Sequence, residues 1–379
     1  MSSFVLHVDV DEFVAAVEIL RRPELTGQAV VVGGRGDPSK RGVVSTASYE
    51  ARRYGLRSGM PLRTAVRKCP HAVFLPVDRG AYERASRDVM KVLGEIAGAL
   101  EVWGWDEAFV AMEGDPDPEA VAREIQCAVS KRTGLSCSVG IGDNKLRAKI
   151  ASGFAKPAGV YRLTALEWTR VMGGRRTEEL WGIGRKSARK LSELEIDKVH
   201  ELAAADEEML LRAFGPRTGP WLLALGRGED ATPVRPVPRR ARSRSVELTF
   251  DEDVEDPAVI SAQITSMTLS LAEHAESSNR PVTAVTVKIR LAPFFTSTRS
   301  RRLAEPSTNA EAILEAAKVA LGRFELDRPV RLVGVKIDLG LAHRFPWAVQ
   351  GCSSRSGHWC MWFGASELLR LSHVCSDLR

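Results

Sequence analysis

The sequence lacks the features of membrane and secreted proteins. No run of about 18 apolar residues occurs, so no transmembrane helix is expected. The first residues, MSSFVLHVDVDEF, contain neither a basic segment nor a cleavage-type segment, so secretion is not expected. The 6 cysteines have no regular spacing, which favours reduced thiols over a disulfide framework. These absences together favour a cytoplasmic protein that makes no contact with a membrane.

Two short motifs are also missing. No GxxxxGK[ST] segment occurs, so P-loop phosphate binding has no support, and the glycines of VVGGRGDPSKRG are interpreted as a turn. Residues 343–379 contain a set of cysteines and histidines whose spacing fits no standard zinc finger and which lacks paired CxxC units. These residues are Cys352, His358, Cys360, His373 and Cys375. We therefore interpret this segment as an atypical, poorly ordered tail.

The composition is that of an ordinary globular protein with a basic surplus. Hydrophobic residues make up 44% and charged residues 27% of the 379 residues, which is enough chain for two or more domains. The net charge of +6 favours an acidic partner, and nucleic acid is the commonest one. A merely basic surface is the alternative, so charge alone does not decide the function.

Hydrophobic patterning divides the chain into regions of different character. Residues 1–165 alternate strand and helix patterns, and we expect an α/β region with a mixed or antiparallel sheet. In it, AYERASRDVMKVLGEIAGAL is predicted to be one long helix and EVWGWDEAFVAM one strand. Residues 166–231 are helical, residues 232–244 form a linker rich in Pro and Arg, and residues 245–342 form a second α+β domain.

Carboxylates occur on two of the predicted strands. Asp9 and Asp11 lie two residues apart, so in a strand their side chains share a face. The segment WGWDEAF adds Asp106 and Glu107. Three or four carboxylates from neighbouring strands would suit Mg²⁺, and two such ions are the usual arrangement for in-line phosphoryl transfer. Turn caps and ion pairs are the alternative for either motif alone, whereas their joint occurrence favours a metal site.

Five segments occur in an order and spacing that resemble one known family. They are HVDVDEFVAAVE, SYEARRYGLRSGMP, WGWDEAF, SVGIGDNKLRAKIASGFAKPAG and LWGIGRKSARKL. Over residues 4–342 the chain resembles the Y-family translesion DNA polymerases, closest to the DNA polymerase IV (DinB) branch. The resemblance implies an α+β right-hand architecture with a palm (1–18 and 77–165), fingers (19–76), a helical thumb (166–231) and a C-terminal little finger (245–342).

The resemblance also implies roles for the carboxylates. Asp9 and Asp106 correspond to metal-binding aspartates, Glu107 to the adjacent catalytic carboxylate, and Val10 to a residue that contributes its backbone carbonyl. Two Mg²⁺ ions are implied as cofactors, with Mn²⁺ able to substitute for them. Asp11 is not a principal ligand in the family pattern, which corrects the strand-face argument, and it is interpreted as a supporting residue.

The incoming nucleotide is implied to bind a second set of residues. Tyr49 and Arg52 lie three apart at the start of a helix and would contact the triphosphate, with Lys156 of FAKPAG. Thr46, Phe13 and Val14 complete the implied nucleotide-binding set. Lys145 and Lys149, four residues apart, are equally well explained as solvated surface lysines.

Position 14 departs from the family pattern. Five residues after the metal-binding aspartate, the family usually carries a bulky Phe or Tyr that excludes the ribose 2′-hydroxyl. Here that residue is Val14, and Phe13 lies at the preceding position. A relaxed filter that admits ribonucleotides is the favoured interpretation. The alternative is that Val14 only packs, while a backbone contact or a shifted Phe13 still excludes ribose.

Several basic segments are expected to hold DNA. LWGIGRKSARKL resembles a helix-hairpin-helix, with a Gly-x-Gly turn that can bind a phosphate; an ordinary interhelical turn is the alternative. Glu195 occupies a position in its second half where the family often has Gly. In VTVKIR the apolar and basic residues alternate, which predicts a sheet with one basic face. The implied DNA-binding residues are Gly182, Gly184, Arg185, Lys186, Arg242, Arg244, Lys288, Arg290, Thr298, Arg299 and Arg301.

The sequence is thus expected to encode a monomeric, template-directed translesion DNA polymerase. Its partners would be primer–template DNA, dNTPs and, given Val14, rNTPs. No convincing sliding-clamp-binding peptide is found, which leaves clamp recruitment open. Two alternatives are a nucleotidyl cyclase, which also uses a palm-like carboxylate site, and a non-catalytic DNA-binding accessory protein. The thumb motif argues against the first, and the retained carboxylates Asp9, Asp106 and Glu107 argue against the second.

Overall fold

The computed structural model describes residues 4–340, apart from residues 113, 115, 116, 238 and 239. The elements in chain order are β1 (Val5–Val10), α1 (Phe13–Arg21), β2 (Val30–Gly33), β3 (Val44–Ala47), α2 (Tyr49–Arg53), α3 (Leu62–Lys68), β4 (Val73–Leu75), α4 (Arg79–Ile96), β5 (Ala99–Val102), β6 (Glu107–Ala111), α5 (Pro118–Thr133), β7 (Cys137–Gly142), α6 (Lys145–Ala155), β8 (Val160–Leu163), α7 (Ala165–Met172), α8 (Arg185–Ser192), α9 (Val199–Ala203), α10 (Glu207–Gly226), β9 (Ser243–Val254), α11 (Pro257–Ser277), β10 (Val282–Leu291), β11 (Phe295–Ser307), α12 (Ala310–Leu321) and β12 (Val330–Leu339). Among these, no helix is both long and apolar enough to span a membrane.

The N-terminal half is built on a five-stranded sheet. Its strand order is β5-β6-β1-β7-β8, and β1 is antiparallel to both of its neighbours. The strands β7 and β8 are parallel, so the sheet is mixed, as the sequence predicted. Because β1 is the central strand, all of its residues after Val5 are buried. The polar and charged residues of β1 are therefore held in place by strands on both sides.

Two boundaries predicted from the sequence are wrong in this region. The helix expected to run to Leu100 ends at Ile96, because Ala99 and Leu100 pair with Ala111 and Val110 in the sheet. The segment expected to be one strand folds as the hairpin of β5 and β6. At its turn, the amides of Trp103 and Gly104 both donate to the carbonyl of Glu107, at 3.0 and 3.2 Å.

A small second sheet, β3-β2-β4, follows α1 and has its own hydrophobic cluster with α3. The helices α7 to α10 form a third cluster, which also takes in Leu146 and Ile150 of α6. The residues after 242 form a four-stranded antiparallel sheet, β11-β10-β12-β9, with α11 and α12 packed against one face. These clusters agree with the four-part α+β organisation implied by the sequence.

Helix starts follow directly from local sequence. The helices α5 and α11 both begin with Asp-Pro, at Asp117 and Asp256. In each, the aspartate side chain accepts a hydrogen bond from the second residue of the helix, and proline, which has no N–H, takes the first position.

The edge strand β9 of the last sheet contacts the segment between β2 and β3. Arg35 forms an ion pair with Asp251 at 2.9 Å, and Arg41 forms one with Asp253 at 2.7 Å.

Candidate active site and DNA-binding surfaces

Backbone pairing brings three carboxylates to one end of the five-stranded sheet. In the register of β1 and β6, Asp9 lies opposite Glu107. The amide of Val10 donates to the carbonyl of Asp106 at 2.8 Å, which holds the hairpin turn against the end of β1. Asp106 thus precedes β6 rather than lying within a strand. The arrangement places Asp9, Asp106 and Glu107 together, as the sequence pattern predicted for a carboxylate centre.

The electrostatics of this cluster favour a cation. Burial raises the pKa of Asp106, and the negative charges of Asp9 and Glu107 raise it further. Two lysines partly offset the charge: Lys156 Nζ lies 2.6 Å from Asp9 Oδ1, and Lys149 contacts the Glu107 carboxylate. Among the described residues no three carboxylate, His or Cys side chains stand in ligand geometry. The donor set nevertheless fits a hard divalent ion, since it consists of clustered oxygens with unfavourable mutual repulsion.

Asp11 has a different role from Asp9, although both lie near the end of β1. It is almost fully buried, and its carboxylate accepts four hydrogen bonds of 2.8–3.1 Å. The donors are the hydroxyls of Tyr49, Ser136 and Ser138 and the amide of Ala158. Asp11 therefore ties α2, β7 and the segment after α6 to one point beside the carboxylate cluster.

Replacing Asp11 with Ala is expected to destabilise the protein rather than to change its chemistry directly. Four donors lose their acceptor, and each buried polar group left without a partner costs about 1–3 kcal/mol, so we expect a loss of at least about 4 kcal/mol. For a region of this size a loss of that amount lowers Tm by about 8–16 °C. Thermal unfolding followed by circular dichroism measures it, with the exposed Asp327→Ala as a control. An unchanged Tm for Asp11→Ala would show that the four hydrogen bonds contribute little.

Neither Lys145 nor Lys149 is a solvated surface lysine. Lys145 is 4% exposed, binds Glu101 at 2.8 Å and lies 4.6 Å from the ring centres of both Trp103 and Phe109. Lys149 bridges Glu107 and, at 3.7 Å, Asp9. The interpretation of both residues as solvated surface lysines is therefore wrong. Lys149 belongs to the carboxylate cluster.

His7 is a residue of this site that the sequence reasoning missed. It lies on the same face of β1 as Asp9, is fully buried, and packs edge-on against Phe109 with ring centres 4.7 Å apart. Burial lowers its pKa well below the usual value, and the nearby lysines, led by Lys149, lower it further. A histidine two residues before Asp9 was the available signal, because strand periodicity places both on one face.

The candidate nucleotide-binding residues flank the cluster. Tyr49 donates its hydroxyl to Asp11, and the Arg52 guanidinium lies 4.8 Å from the Tyr49 ring centre. Arg52 is exposed and uses Nε to bind the carbonyl of Ala47 at 2.9 Å. Thr46 lies on β3, immediately before that carbonyl. These residues lie together at the start of α2, next to the end of β1.

Phe13 and Val14, the first two residues of α1, differ in their degree of burial. Phe13 is 3% exposed and lies in the main hydrophobic core, whereas Val14 is only partly buried and packs against the edge of the same core. The ring of Phe13 is thus committed to packing, and the expectation that its side chain contacts a nucleotide is not supported. The preceding residue, Glu12, adopts the left-handed conformation (φ 40°) and accepts a hydrogen bond from the Tyr49 amide.

The Gly-x-Gly turn of the helical region is closely packed and leads directly into α8. Gly182 has φ 100°, and a side chain there would collide with the ring of Trp221. Ile183 anchors the turn in the core, while Gly184 precedes α8 and leaves Arg185 and Lys186 exposed. In the second half, Glu195 adopts φ 62°, a conformation that favours glycine. The backbone at Glu195 therefore has the left-handed conformation that a glycine would adopt at lower energetic cost.

The C-terminal sheet separates the predicted DNA-binding residues onto two faces. Val285, Val287 and Ile289 are buried against the helices, so Lys288 and Arg290 lie on the open face. Directly paired residues share a face. Thr298, opposite Lys288, is therefore also on the open face.

The same rule places three other predicted DNA-binding residues on the opposite side of the sheet. Arg299 and Arg301 pair with the buried Val287 and Val285, so they lie on the helix side at the sheet edge. Arg244 pairs with Ile337 and contacts His274 of α11 at 3.1 Å. Strand alternation therefore divides the predicted DNA-binding residues between the two sides of the sheet, and Arg244, predicted to end the linker, lies in β9.

Two residues of the linker form hydrogen bonds with the folded regions on either side. The amide of Arg235 donates to Glu101 at 2.8 Å, which fastens the start of the linker to β5. Arg242 is exposed, and its carbonyl accepts a hydrogen bond from Leu339. The cysteine-rich tail, with Cys352, Cys360 and Cys375, lies outside the described residues, as does Arg239.

Comparison with known proteins identifies this arrangement. Residues 8–153 match the impB/mucB/samB family, and residues 241–339 match the C-terminal domain of that family. DNA polymerase IV 2 of Mycobacterium tuberculosis is 49% identical over 339 residues, which cover 89% of this chain and 98% of that protein. The chain belongs to the Y-family DNA polymerases, in the DinB branch.

Other relatives of the polymerase agree with this assignment. DNA polymerase IV of Methanoculleus marisnigri is 39% identical, over 89% of this chain and 94% of that protein. A Y-family polymerase chimera of Dbh and Dpo4 has a TM-score of 0.78 at 27% identity, covering 88% of this chain and 98% of the chimera. An insertion ternary complex of Dbh polymerase has a TM-score of 0.63 at 26% identity, covering 89% and 98%.

Membership of this family fixes the general activity. The protein is a DNA polymerase of the translesion type, with the right-hand architecture of that family, and it depends on divalent metal ions.

Proposed function

We propose that Asp9, Asp106 and Glu107 form the catalytic centre at which a primer 3′-hydroxyl attacks the α-phosphate of a nucleotide. The 3′-hydroxyl loses its proton to solvent, a bond forms between the 3′-oxygen and the α-phosphorus, the bond from the α-phosphorus to the bridging oxygen of the β-phosphate breaks, and pyrophosphate leaves. The observation that carries this assignment is the convergence of the three carboxylates at the end of β1 and β6. The raised pKa of Asp106 supports it, because structural carboxylates are seldom crowded in this way.

Two Mg²⁺ ions, with Mn²⁺ as a substitute, are assigned to Asp9, Asp106, Glu107 and the carbonyl of Val10. When bound, such ions act as Lewis acids toward the attacking and leaving oxygens. The protein's own contribution is to hold these oxygens on a rigid central strand. Lys149 and Lys156 balance part of the negative charge of the cluster.

The triphosphate is assigned to Arg52, Lys156 and Tyr49, with Thr46 beside them. Arg52 and Tyr49 are held in a fixed relation by the stacking of the guanidinium on the ring. Lys156 Nζ donates to Asp9 Oδ1 at 2.6 Å, so its ammonium group lies between the proposed metal-binding residues and the proposed triphosphate position. A guanidinium and an ammonium group at this edge are the donors that a polyphosphate requires.

The sugar is assigned to the region of Val14, which would admit ribonucleotides as well as deoxyribonucleotides. Since the Phe13 ring is buried in the core, it is not positioned to replace the missing aromatic side chain. This observation favours the relaxed filter over the alternative of a shifted Phe13.

Primer–template DNA is assigned to the turn before α8 and to the open face of the C-terminal sheet. Lys288, Arg290 and Thr298 supply that face, and Arg185 and Lys186 supply the turn. These groups can bind phosphates without reading bases, which suits an enzyme that must copy any sequence.

The division of the arginines between the two faces gives a sharp test of the DNA surface. Lys288→Ala with Arg290→Ala is expected to reduce the slope of log K against log [salt] by about 2, since each lost phosphate contact removes about 0.9. The matched pair Arg299→Ala with Arg301→Ala removes the same charge from the helix side and should change the slope little. Fluorescence anisotropy across a salt series measures both. Equal effects of the two pairs would contradict the assignment of the open face.

The proposed activity is tested by primer extension with purified protein in Mg²⁺ and in Mn²⁺, with cyclic nucleotide measured in parallel. Template-dependent extension without cyclic product is expected. DNA binding without extension would favour the accessory protein, and a cyclic product would favour the cyclase. We further propose that the protein acts as a cytoplasmic monomer, which size-exclusion chromatography with light scattering checks. Recruitment by a sliding clamp has no assigned peptide.

A further inference from the structure

Two tryptophan rings join the two turns on which the proposed function depends. Trp103 lies in the hairpin turn between β5 and β6, three residues before Asp106. Trp181 comes immediately before Gly182, the first glycine of the Gly-x-Gly turn that leads into α8. The centres of the two indole rings are 5.6 Å apart and the ring planes are inclined at 67°, which is an edge-to-face contact. Through this pair the thumb touches the same hairpin that carries the carboxylates.

The Trp103 ring is fixed relative to that hairpin. The backbone amide of Trp103 donates to the carbonyl of Glu107 at 3.0 Å, which closes the turn. The ring packs edge-on against the buried Phe109, with ring centres 5.5 Å apart. The ammonium group of Lys145 lies 4.6 Å from the centres of both rings, which is a cation–π arrangement. A displacement of the Trp103 ring would therefore disturb the turn that holds Asp106.

The Trp181 ring is fixed relative to the Gly-x-Gly turn. Leu180 before it is 2% exposed and Ile183 after it is 6% exposed, and both belong to the hydrophobic cluster of the thumb. The amide of Ile183 donates to the carbonyl of Leu180 at 3.1 Å, so Trp181 and Gly182 lie within a closed turn. The position of the Trp181 ring thus follows the position of the turn that is proposed to hold a DNA phosphate.

The tryptophan pair is not what attaches the thumb to the palm. The helix α6 already joins them, because its residues Leu146 and Ile150 belong to the thumb cluster. Trp103 is 44% exposed and Trp181 is 38% exposed, so their contact lies at the surface and buries less apolar area than a core contact does. What the pair adds is a defined spacing between the Gly-x-Gly turn and Asp106.

We propose that Trp103 and Trp181 are positioning residues for the primer terminus. Their contact fixes the spacing between the Gly-x-Gly turn and the carboxylate hairpin, so that a duplex held by its backbone at the turn presents its 3′-hydroxyl to the carboxylates. Without the contact DNA still binds, but its terminus reaches the reactive position less often, and the rate of incorporation depends on that position. This inference rests on the proposed roles of Asp106 and of the turn.

Removal and replacement of the rings separate this role from simple packing. Trp103→Ala and Trp181→Ala remove the contact, whereas Trp181→Phe keeps an aromatic ring there. Leu211→Ala, at an exposed position of α10 in the thumb, is the matched control. Single-nucleotide incorporation is measured under single-turnover conditions, and Tm, nucleotide affinity and DNA affinity are determined for each variant.

Each alanine variant is expected to lower the maximal rate by about 2–10-fold, the range that one aromatic pair supplies. Nucleotide affinity and DNA affinity should change less than the rate does. Trp181→Phe should recover most of the loss, and Leu211→Ala should match the wild type. Rates that follow Tm, or a loss that DNA affinity fully accounts for, would show that the pair only packs or only binds.

Coupling between the two rings is the second readout. If they act through their contact, Trp103→Ala with Trp181→Ala should be no slower than the slower single variant, and losses that multiply would overturn the proposal. Two indole rings this close also couple their excited states, which gives an exciton couplet in the far-ultraviolet circular dichroism spectrum. Trp103→Phe and Trp181→Phe should each abolish the couplet, and Trp221→Phe, at another half-exposed tryptophan of the thumb, should keep it. A couplet unchanged by both substitutions would show that the rings do not meet in solution.

Two further variants separate this inference from the proposed function. Normal extension by Asp106→Ala would remove the carboxylate centre itself. Unchanged DNA affinity of Arg185→Ala with Lys186→Ala would remove the phosphate-binding role of the turn. If Asp106→Ala is inactive and the Arg185 and Lys186 variant binds DNA more weakly, while the losses of the tryptophan variants multiply, only the role of the tryptophan pair is overturned.

Discussion

The Asp106→Asn variant is expected to lose nucleotide addition while the folded protein becomes no less stable. The amide has nearly the same shape as the carboxylate but is a poor ligand for a hard divalent ion. We expect the rate of incorporation to fall by about 10³-fold or more, which corresponds to ~4 kcal/mol of transition-state stabilisation. The same loss is expected for Asp106→Ala, with DNA binding largely intact in both variants.

The stability prediction follows from the direction of the pKa shift. The pKa of Asp106 is raised in the folded state, first by burial and then by the charges of Asp9 and Glu107. The folded protein therefore holds the ionised carboxylate less favourably than the unfolded chain does. This cost is absent below the unfolded pKa of an aspartate, grows as the pH rises, and is complete above the raised folded pKa. A neutral amide removes it.

The two readouts together distinguish a functional carboxylate from a structural one. A residue that only supported the fold would lose Tm along with activity, as we expect for Asp11→Ala. Asp106→Asn should instead show a constant or higher Tm in thermal unfolding at pH 7, measured without added metal. Asp327→Asn, an exposed aspartate of the C-terminal domain, is the control. Normal primer extension by Asp106→Asn would remove the assignment of the carboxylate centre.

The contrast between Asp9 and Asp11 shows what the sequence could predict about the site. Strand periodicity nominated both aspartates equally, and only the family pattern favoured Asp9. The structure gives the physical difference: Asp11 is enclosed by four donors from three elements, whereas Asp9 faces Glu107 and two lysines. Those donors are up to 147 residues away along the chain, so no local pattern could indicate them.

Strand pairing explains what the sequence alone left undetermined on the other surfaces. The long alternating strands were predicted well, because one buried face imposes a period of two. The faces of Arg299, Arg301 and Arg244 depend instead on register with the neighbouring strand, which the sequence does not specify. The role of Lys145 was missed for a similar reason, since its partners Glu101 and Trp103 lie on a hairpin that had been interpreted as a single strand.

The second large effect is expected at Val14. If this residue lines the sugar position, the wild-type enzyme should incorporate rNTPs with only modest discrimination, and Val14→Phe should reject them. The added ring would overlap the space of a 2′-hydroxyl, and overlap of this kind costs about 1–3 kcal/mol. The expected gain in selectivity for dNTPs over rNTPs is therefore about 10–200-fold. It should arise from slower rNTP incorporation, with dNTP incorporation changed only a few-fold.

A graded series makes this prediction independent of any one substitution. Selectivity, measured as the ratio of kcat/KM for dNTP and rNTP on the same template, should rise from Val14→Ala through wild type and Val14→Leu to Val14→Phe. The buried Phe13 offers no second ring to take over the role, because it is packed in the core beneath the helix. Strong ribose rejection that stays constant across the series would place the filter elsewhere, in a backbone contact. A steady rise with side-chain volume would show that the protein's tolerance for ribose is set at this single position, where a small β-branched side chain replaces an aromatic ring.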